Sequence, residues 1–225
     1  MVDVFIASLY RQGHIVKTVE SLWKNPQVST ITVVLNNYTN EQYRDVFAGL
    51  KGCTIIRGNN KKRDSEKLRY FNLSKNPFIA TCDDDLIYPP DYFDRLLAGA
   101  EKHKAIVSFH GWNLRKRITD YYKARSERFK CIHEVKEDVE ADVIGTGVCL
   151  FEKAILPDFE KTYDHFPYGG AADIHLSHFA KTKGVKRVVL AHEKDWIVMK
   201  PAHKDDKQIY GERDTFRKEF LTRKW

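Results

Sequence analysis

The sequence predicts an α/β fold in which a mostly parallel central sheet is flanked by helices, and three observations support this. Over residues 2–57, runs rich in β-branched residues alternate with amphipathic stretches, which is the pattern of a β-α-β-α-β unit. Strands connected in this way pair in parallel through right-handed crossovers. The 225 residues are 42% hydrophobic, and no linker rich in Pro, Gly or Ser divides them, so a single domain is the simplest interpretation.

The spacing of apolar residues assigns the elements of the first part of the chain. Apolar residues three and four positions apart predict helices, and Pro26 and Gly52 end the first two of them. Runs rich in β-branched residues predict the strands. The predicted order is a strand over 2–9, a helix over 15–23, a strand over 30–35, a helix over 43–50, a strand over 53–57, a short helix over 66–73 and a strand over 77–82.

The second part of the chain is less regular. The stretch 110–140 is polar and aromatic, and it fits either an antiparallel excursion or a flexible loop. The run 143–151 predicts one strand interrupted by two glycines, which usually mark a bulge or a close approach by ligand or backbone. The remaining predicted elements are a helix over 92–100, a strand over 105–109, a helix over 172–183 and a strand over 185–190.

Three consecutive aspartates, Asp83, Asp84 and Asp85, directly follow the predicted strand 77–82. Adjacent carboxylates repel one another, and a bound divalent cation removes that repulsion. Mg²⁺ and Mn²⁺ usually bind through one or two carboxylates together with substrate phosphates. Ligands of open α/β sheets also sit beyond the carboxyl ends of strands. The triplet therefore predicts a site for Mn²⁺ or Mg²⁺, with a solvated acidic turn or a loop site for Ca²⁺ as the alternatives.

Charge and composition indicate the kind of partner and compartment. The net charge of +7 favours an anionic partner, such as nucleotide phosphates, nucleic acid or an acidic membrane surface. No window approaches the roughly 18 apolar residues of a transmembrane segment, and the N-terminus lacks the pattern of a signal peptide. The four cysteines form no CxxC pair, which is typical of reduced thiols. We therefore expect a cytoplasmic protein without a transmembrane segment.

Three stretches resemble the GT-A class of nucleotide-sugar glycosyltransferases. The run 68–73 before the aspartates resembles an exostosin-like pattern, the run 143–151 resembles the glycine-containing acceptor-side strand, and 169–180 resembles the helix start that carries a Glu-Asp-Ile motif. Family 2 glycosyltransferases share this plan, and the resemblance extends over roughly residues 2–195. It implies a GT-A fold, a nucleotide-sugar donor that we expect to be a UDP-sugar, and a glycan or another hydroxyl compound as the acceptor.

The resemblance also implies roles for individual carboxylates and histidines. Asp85 would ligate the metal directly, and Asp173 would act on the acceptor hydroxyl. A helix N-cap is the alternative interpretation of Asp173. A late histidine often completes the metal site of such enzymes; His192 directly follows a strand and is preferred to His203.

Further residues are expected to contact the donor. In the resembled enzymes the loop after the first strand meets the nucleotide, and the second strand often ends in an aspartate that holds the base. Here that position is Asn36, which can still donate to and accept from a uracil edge. The expected nucleotide-binding residues are Ala7, Ser8, Tyr10, Arg11, Asn36, Arg63, Lys67, Asp83 and Asp84.

Within the single domain, residues 1–110 are predicted to form a nucleotide-binding half, 111–195 an acceptor half and 196–225 a basic tail or lid. A sugar-nucleotide nucleotidyltransferase is one alternative, but its phosphate loop is usually rich in Gly and Lys, whereas residues 7–13 contain one glycine and no lysine. A basic nucleic-acid-binding domain is another alternative, and it leaves the aspartates unexplained. A third alternative is a glycosyltransferase that acts on modified nucleic acid, which would combine glycosyl transfer with nucleic-acid binding. Trp112 and Trp196 are candidates either to stack on a sugar ring or to pack in the core.

Overall fold

The computed structural model of the protein describes residues 1–115, 123–164 and 169–200. Strands and helices alternate along the first part of the chain, as the sequence predicts. The strands are β1 Val2–Leu9, β2 Val28–Asn36, β3 Thr54–Gly58, β4 Phe78–Cys82, β5 Leu86–Ile87, β6 Ile106–Ser108, β7 Gly111–Leu114, β8 Arg125–Phe129, β9 Val139–Glu140, β10 Val143–Ile144, β11 Val148–Glu152, β12 Arg187–Val189 and β13 Val198–Met199. The α-helices are α1 Gln12–Leu22, α2 Asn40–Phe47, α3 Tyr92–His103 and α4 Ala172–Thr182.

Among the described residues, eight of the strands form one central sheet in the order β3-β2-β1-β4-β11-β6-β12-β9. The first four are parallel to one another, and β12 is parallel to β6. Strand β11 is antiparallel to both of its neighbours, β4 and β6. The predicted α/β class with a mostly parallel sheet is therefore confirmed. The carboxyl ends of β1, β2 and β4 meet at one edge of the sheet, and this edge carries the site described below.

Two apolar cores cover the two faces of the central sheet. Because successive side chains of a strand point to opposite faces, Val4 and Ile6 of β1 pack into one core while Phe5 packs into the other. The first core also contains the apolar faces of α1 and α3. The second contains the apolar face of α4 together with an aromatic group around Phe71. The sheet is therefore buried on both sides, as expected for parallel strands.

The predicted strand over 143–151 is in fact two strands in different sheets. β10 pairs with β7, whereas β11 pairs with β4 and β6, and residues 145–147 make the transition. The two glycines of this segment allow close contacts, because a Cβ atom at Gly147 would overlap the carboxylate of Asp83. The sequence correctly signals an interruption with a close approach, but the two sides of the interruption belong to different sheets and not to one strand.

Two other segments refine the predictions. The predicted helix over 66–73 consists of two short 3₁₀ helices, Arg63–Leu68 and Phe71–Leu73. The described parts of the stretch 110–140, which leave out 116–122, match the antiparallel excursion of the two alternatives: β7 and β8 pair antiparallel and form a small sheet with β10. Within the part of the chain that the structure describes, no helix is long and apolar enough to cross a bilayer.

Candidate active site at the strand ends

The three aspartates lie directly after β4, and hydrogen bonds to Gly147 before β11 and to Thr18 of α1 hold their backbone. The N–H of Asp83 donates to the carbonyl of Gly147 at 3.0 Å. The hydroxyl of Tyr88 donates to the same carbonyl at 2.7 Å. The hydroxyl of Thr18 in α1 lies 3.1 Å from the carbonyl oxygen of Asp84. The segment is thus tied to both β11 and α1, so the positions of the carboxylates follow from the sheet.

Two basic side chains pair with the three carboxylates. Nη1 of Arg11 lies 2.7 Å from Oδ1 of Asp84 and 2.7 Å from Oδ2 of Asp85. Nζ of Lys67 lies 2.7 Å from Oδ1 of Asp83, and the Lys67 side chain is only 1% exposed. Arg11 can reach the aspartates because it follows β1, which is next to β4 in the sheet. The protein therefore neutralises much of the mutual repulsion within the triplet by itself.

Burial and these pairings shift the pKa values of the triplet in different directions. Burial raises the pKa of Asp85 to about 6, and the charges of Asp83 and Asp84 add to the rise. Burial also raises the pKa of Asp84, against the opposing effect of Arg11. Burial disfavours the charged form of Asp83 too, but Lys67 outweighs it and holds the pKa of Asp83 below its usual value. Both shifts favour the charged forms, so Asp83 and Lys67 form a stable ion pair.

Asp173 lies across the site, in the first turn of α4. Its Oδ1 accepts hydrogen bonds from the backbone N–H of Thr146 at 2.7 Å and from the hydroxyl of Thr146 at 2.6 Å. The N-cap of α4 is Ala171, so the alternative interpretation of Asp173 as a helix cap is wrong. Neutral donors hold one oxygen of Asp173 on a rigid turn, which orients the carboxylate toward the cavity that it lines.

A cavity of about 500 Å³ lies between these groups. Asp83, Asp85 and Asp173 line it together with His110. Burial lowers the pKa of His110, against the attraction of Asp173 and Asp83, which favours a neutral ring near pH 7. On another part of the wall stand Trp112, Arg125 and Lys130. The volume is within the range of small-molecule sites, and charged groups of both signs face it.

The loop after β1 is organised by a residue that the sequence analysis did not single out. The hydroxyl of Tyr38 lies 2.8 Å from Oγ of Ser8 and accepts the N–H of Arg11 at 3.1 Å. The rings of Tyr38 and Tyr10 stack with their centroids 6.4 Å apart. Ala7 lies within β1, opposite Val34 of β2. The signal for Tyr38 is its position just after β2, the strand next to β1.

Asn36 occupies the end of β2, as predicted, but its side chain is enclosed. It is 1% exposed, and its Nδ2 donates to the carbonyl of Arg63 at 3.2 Å. Its Oδ1 packs against Gly58, where a Cβ atom would overlap it. Arg63 has a positive φ of 54°, a conformation that few non-glycine residues adopt. Asn36 therefore supports the turn at Arg63, in the loop that precedes Lys67.

The structure does not bring His192 to the aspartates. Its Nδ1 lies 2.8 Å from the carbonyl oxygen of Leu190 and its Nε2 lies 3.2 Å from that of Lys130. Its ring packs edge-on against Phe109. Both nitrogens of His192 thus face backbone carbonyls. His203, the other candidate, lies outside the described residues.

No group of three His, Cys, Asp or Glu side chains is arranged to hold a metal ion within residues 1–115, 123–164 and 169–200. Of the triplet, Asp83 and Asp85 line the cavity, and Asp64 and Asp173 are further carboxylates on its wall. Such donors fit Mn²⁺ or Mg²⁺ when substrate phosphates supply further ligands, because these ions commonly use only one or two protein carboxylates. The residues present therefore fit a metal that binds together with a diphosphate.

Sequence reasoning missed several residues of the site, among them Thr146, Tyr88 and His110. Thr146 and Tyr88 act through contacts between segments that are distant in the chain: Thr146 donates to Asp173, and Tyr88 donates to the carbonyl of Gly147. His110 lines the cavity beside them. The glycines on both sides of Thr146 were the available signal, since they marked a close approach of the backbone.

Comparison with known proteins agrees with this geometry. The pattern of glycosyl transferase family 2 matches residues 3–156. Among solved structures with this fold is the mannosyltransferase PcManGT from Pyrobaculum calidifontis, in complex with GDP-Man and Mn²⁺, with a TM-score of 0.54 and 13% sequence identity. The alignment covers 87% of this chain and 55% of that one, so the chain spans about half the length of this neighbour. No curated protein matches the sequence. The match to the family pattern extends over more than half of the residues, and the chain belongs to glycosyl transferase family 2.

Proposed function

We propose that this chain transfers a sugar from a nucleoside diphosphate sugar, with a UDP-sugar as the first choice, to a hydroxyl group of an acceptor, and that it uses Mn²⁺ or Mg²⁺. The observation that carries the proposal is the cavity, which Asp83 and Asp85 at the end of β4 line together with Asp173 at the start of α4. In this proposal residues 1–110 bind the nucleotide and 111–195 bind the acceptor.

The donor side fits a diphosphate and its metal. Asp85 and Asp83 would hold the ion, which as a Lewis acid would supply charge stabilisation to the departing diphosphate. Arg11 contacts both Asp84 and Asp85, so it stands where it can also contact a phosphate oxygen. Lys67 remains with Asp83, because the 1% exposure of its side chain leaves it little freedom to move. The role of Asp84 is then to hold Arg11 and hydroxyl groups of the donor.

On the acceptor side, Asp173 is the residue proposed to take the proton from the attacking hydroxyl. Thr146 occupies its Oδ1 with two hydrogen bonds, so Oδ2 is the oxygen proposed to accept the proton. The direction of the carboxylate is set before substrate binds, because Thr146 belongs to the turn that connects β10 with β11. Such positioning contributes to catalysis by removing the cost of orienting the base.

The first test is ligand binding, because it needs no knowledge of the acceptor. The unfolding temperature of the native protein would be measured with UDP, GDP, CMP and ADP, each with and without Mn²⁺. A ligand at about one hundred times its dissociation constant stabilises the folded state by about 2.7 kcal/mol. We expect such a shift with UDP, and only when Mn²⁺ is present.

Two variants complete this test. Asp85→Asn should abolish the shift that depends on the metal, whereas Asp45→Asn should retain it, because Asp45 is an exposed carboxylate on α2, away from the cavity. A metal-dependent shift with GDP and not with UDP would leave the proposed reaction unchanged but identify the donor as a GDP-sugar. The absence of any shift that depends on both nucleotide and metal in the native protein would refute the proposed function.

A further inference from the structure

The turn 145–147 brings three side chains to one part of the cavity wall. Its middle residue, Thr146, donates two hydrogen bonds to Asp173. At the glycine before it, a Cβ atom would lie 2.8 Å from Cδ2 of His110, and at the glycine after it, a Cβ atom would overlap the carboxylate of Asp83. His110 therefore stands beside both the proposed base and a proposed metal ligand, and all three line the cavity.

His110 is held in place by the protein itself. Its carbonyl accepts the N–H of Gly145 at 2.7 Å and the hydroxyl of Ser108 at 2.9 Å. Its ring lies edge-on to the ring of Trp112, with the centroids 5.9 Å apart and the planes at 82°. A side chain that is fixed in this way can bind a substrate without a large cost of ordering.

The ring nitrogens of His110 form no hydrogen bond within the part of the chain that the structure describes. His192 is the contrast, because backbone carbonyls lie close to both of its nitrogens. Burial lowers the pKa of His110, so its ring is neutral near pH 7, with one nitrogen that donates and one that accepts. Polar groups in enclosed sites are nearly always hydrogen-bonded, so this ring requires a partner in the cavity. A hydroxyl group, which both donates and accepts, matches a neutral imidazole.

The position of the ring indicates which hydroxyl group this is. In the proposed reaction the transferred sugar lies between the diphosphate, which belongs with Asp83 and Asp85, and the acceptor hydroxyl, which gives its proton to Asp173. The turn 145–147 contacts both Asp83 and Asp173, and His110 packs against the same turn. The part of the substrates within reach of His110 is therefore the transferred sugar.

We propose that His110 binds a hydroxyl group of the transferred sugar and thereby contributes to the choice of donor. This inference rests on the proposed function, because it adds a residue to the same site. A donor sugar without that hydroxyl would leave the imidazole unpaired in an enclosed site, and such a sugar binds more weakly.

The test is calorimetry on the full chain with Mn²⁺ and without an acceptor. The probes are UDP and a panel of UDP-sugars that includes UDP-glucose, UDP-galactose and UDP-N-acetylglucosamine. His110→Phe keeps an aromatic ring and removes both nitrogens. We expect this variant to bind the UDP-sugar that the native protein binds most tightly about fivefold more weakly, the scale of one neutral hydrogen bond. Its affinity for UDP should equal that of the native protein.

Deoxy analogues of that UDP-sugar locate the contact. The analogue without the contacted hydroxyl should bind the native protein about fivefold more weakly, and His110→Phe should cause no further loss with it. Analogues that lack other hydroxyl groups should show the full effect of His110→Phe. If every analogue shows the full effect, His110 contacts no hydroxyl of the sugar and the inference is overturned.

His110→Gln and His133→Phe are the matched controls. A glutamine side chain keeps a donor and an acceptor, so His110→Gln should retain the UDP-sugar affinity within about twofold. His133 is exposed and does not line the cavity, so His133→Phe should bind every probe like the native protein. An equal loss in His133→Phe and His110→Phe would overturn the inference. If His110→Phe does not fold, His110→Ala adds no bulk and carries the same expectations.

Binding of UDP alone separates this inference from the proposed function. If His110→Phe binds UDP and all UDP-sugars like the native protein, the inference is wrong and the proposed function stands. If His110→Phe loses affinity for UDP and for UDP-sugars equally, His110 supports the nucleotide site and not the sugar, which also overturns the inference. If the native protein binds no nucleotide in the presence of Mn²⁺, the proposed function fails and the inference fails with it.

Discussion

The aspartate triplet after β4 and the single Asp173 in α4 are stabilised in opposite ways. The aspartates after β4 are paired with the cations Arg11 and Lys67, whereas Asp173 is held by the neutral donors of Thr146. Three adjacent charges need counterions to coexist when no metal is bound, but a single carboxylate needs only orientation. The difference thus matches a binding role on one side and a reactive role on the other.

The largest expected effect is on the reactive side. Asp173→Asn keeps the shape of the side chain and removes its charge, so the turnover rate should fall by about 10³-fold, within the range of general-base catalysis. Nucleotide binding should change little, since the hydrogen bonds of Asp173 go to Thr146 and not to Arg11 or to the aspartate triplet. Steady-state kinetics and nucleotide titration on the same preparation would show this. A parallel loss of nucleotide affinity would contradict the division into two sides.

The next effect concerns stability on the binding side. Asp83→Asn removes the partner of Lys67, whose side chain is 1% exposed, and an uncompensated buried charge costs about 3 kcal/mol. Denaturant unfolding without ligands should show this loss. The double variant Asp83→Asn with Lys67→Met should recover most of it, because no buried charge remains. If the single and double variants are equally stable, Lys67 does not depend on Asp83.

The same pair gives stability a defined pH dependence. The pKa of Asp83 is lower in the folded protein than in the unfolded chain, so its contribution is present above the usual value near 3.9 and is lost as the pH falls. The pKa of Lys67 is raised, so its contribution is present below about 10.4 and is lost as the pH rises through the folded value. We therefore expect the free energies of unfolding of the native protein and of Asp83→Asn to differ less at pH 3 than at pH 7. Denaturant unfolding of both proteins at the two pH values would measure this.

A smaller effect should follow from Thr146→Val. The substitution removes the hydroxyl that lies 2.6 Å from Oδ1 of Asp173 but keeps the backbone N–H bond at 2.7 Å. Loss of one hydrogen bond to a charged group corresponds to about a tenfold decrease in the turnover rate. Thr146→Ser retains the hydroxyl and should retain most of the activity. Equal activity of all three proteins would show that the backbone bond alone orients Asp173.

The smallest effect is expected at Arg11. Its guanidinium pairs with Asp84 and Asp85, so an incoming Mn²⁺ ion must compete with it. Arg11→Ala should tighten Mn²⁺ binding in the absence of nucleotide by about fivefold, the scale of a partly exposed ion pair. Calorimetry would measure the Mn²⁺ affinity. Arg57→Ala is the control, because Arg57 donates to Asn40 and not to the aspartates. Weaker binding by Arg11→Ala would mean that Arg11 supports the metal site.

The sequence predicts which residues end a strand or begin a helix at this site, but it does not predict the contacts between residues that are distant in the chain. The end of β4 and the start of α4 are marked by apolar periodicity, so the positions of Asp85 and Asp173 were predictable. The pairing of Arg11 with the aspartates requires the adjacency of β1 and β4, and the bond between Thr146 and Asp173 requires the split of the segment into β10 and β11. No local pattern encodes such contacts. His192 shows the converse, since its position after a strand suggested a ligand, whereas two backbone carbonyls surround its ring nitrogens.

The insertion of β11 between β4 and β6 has a consequence for any attempt to divide the protein. Cys82 pairs with Val148 across this interface, so the centre of the sheet closes only after most of the chain has been synthesised. A fragment that ends at residue 110 would expose the apolar edges of β4 and β6, and open strand edges promote aggregation. Chimeras that exchange acceptor specificity should therefore keep β11 with the sheet and replace the β7–β8 hairpin alone.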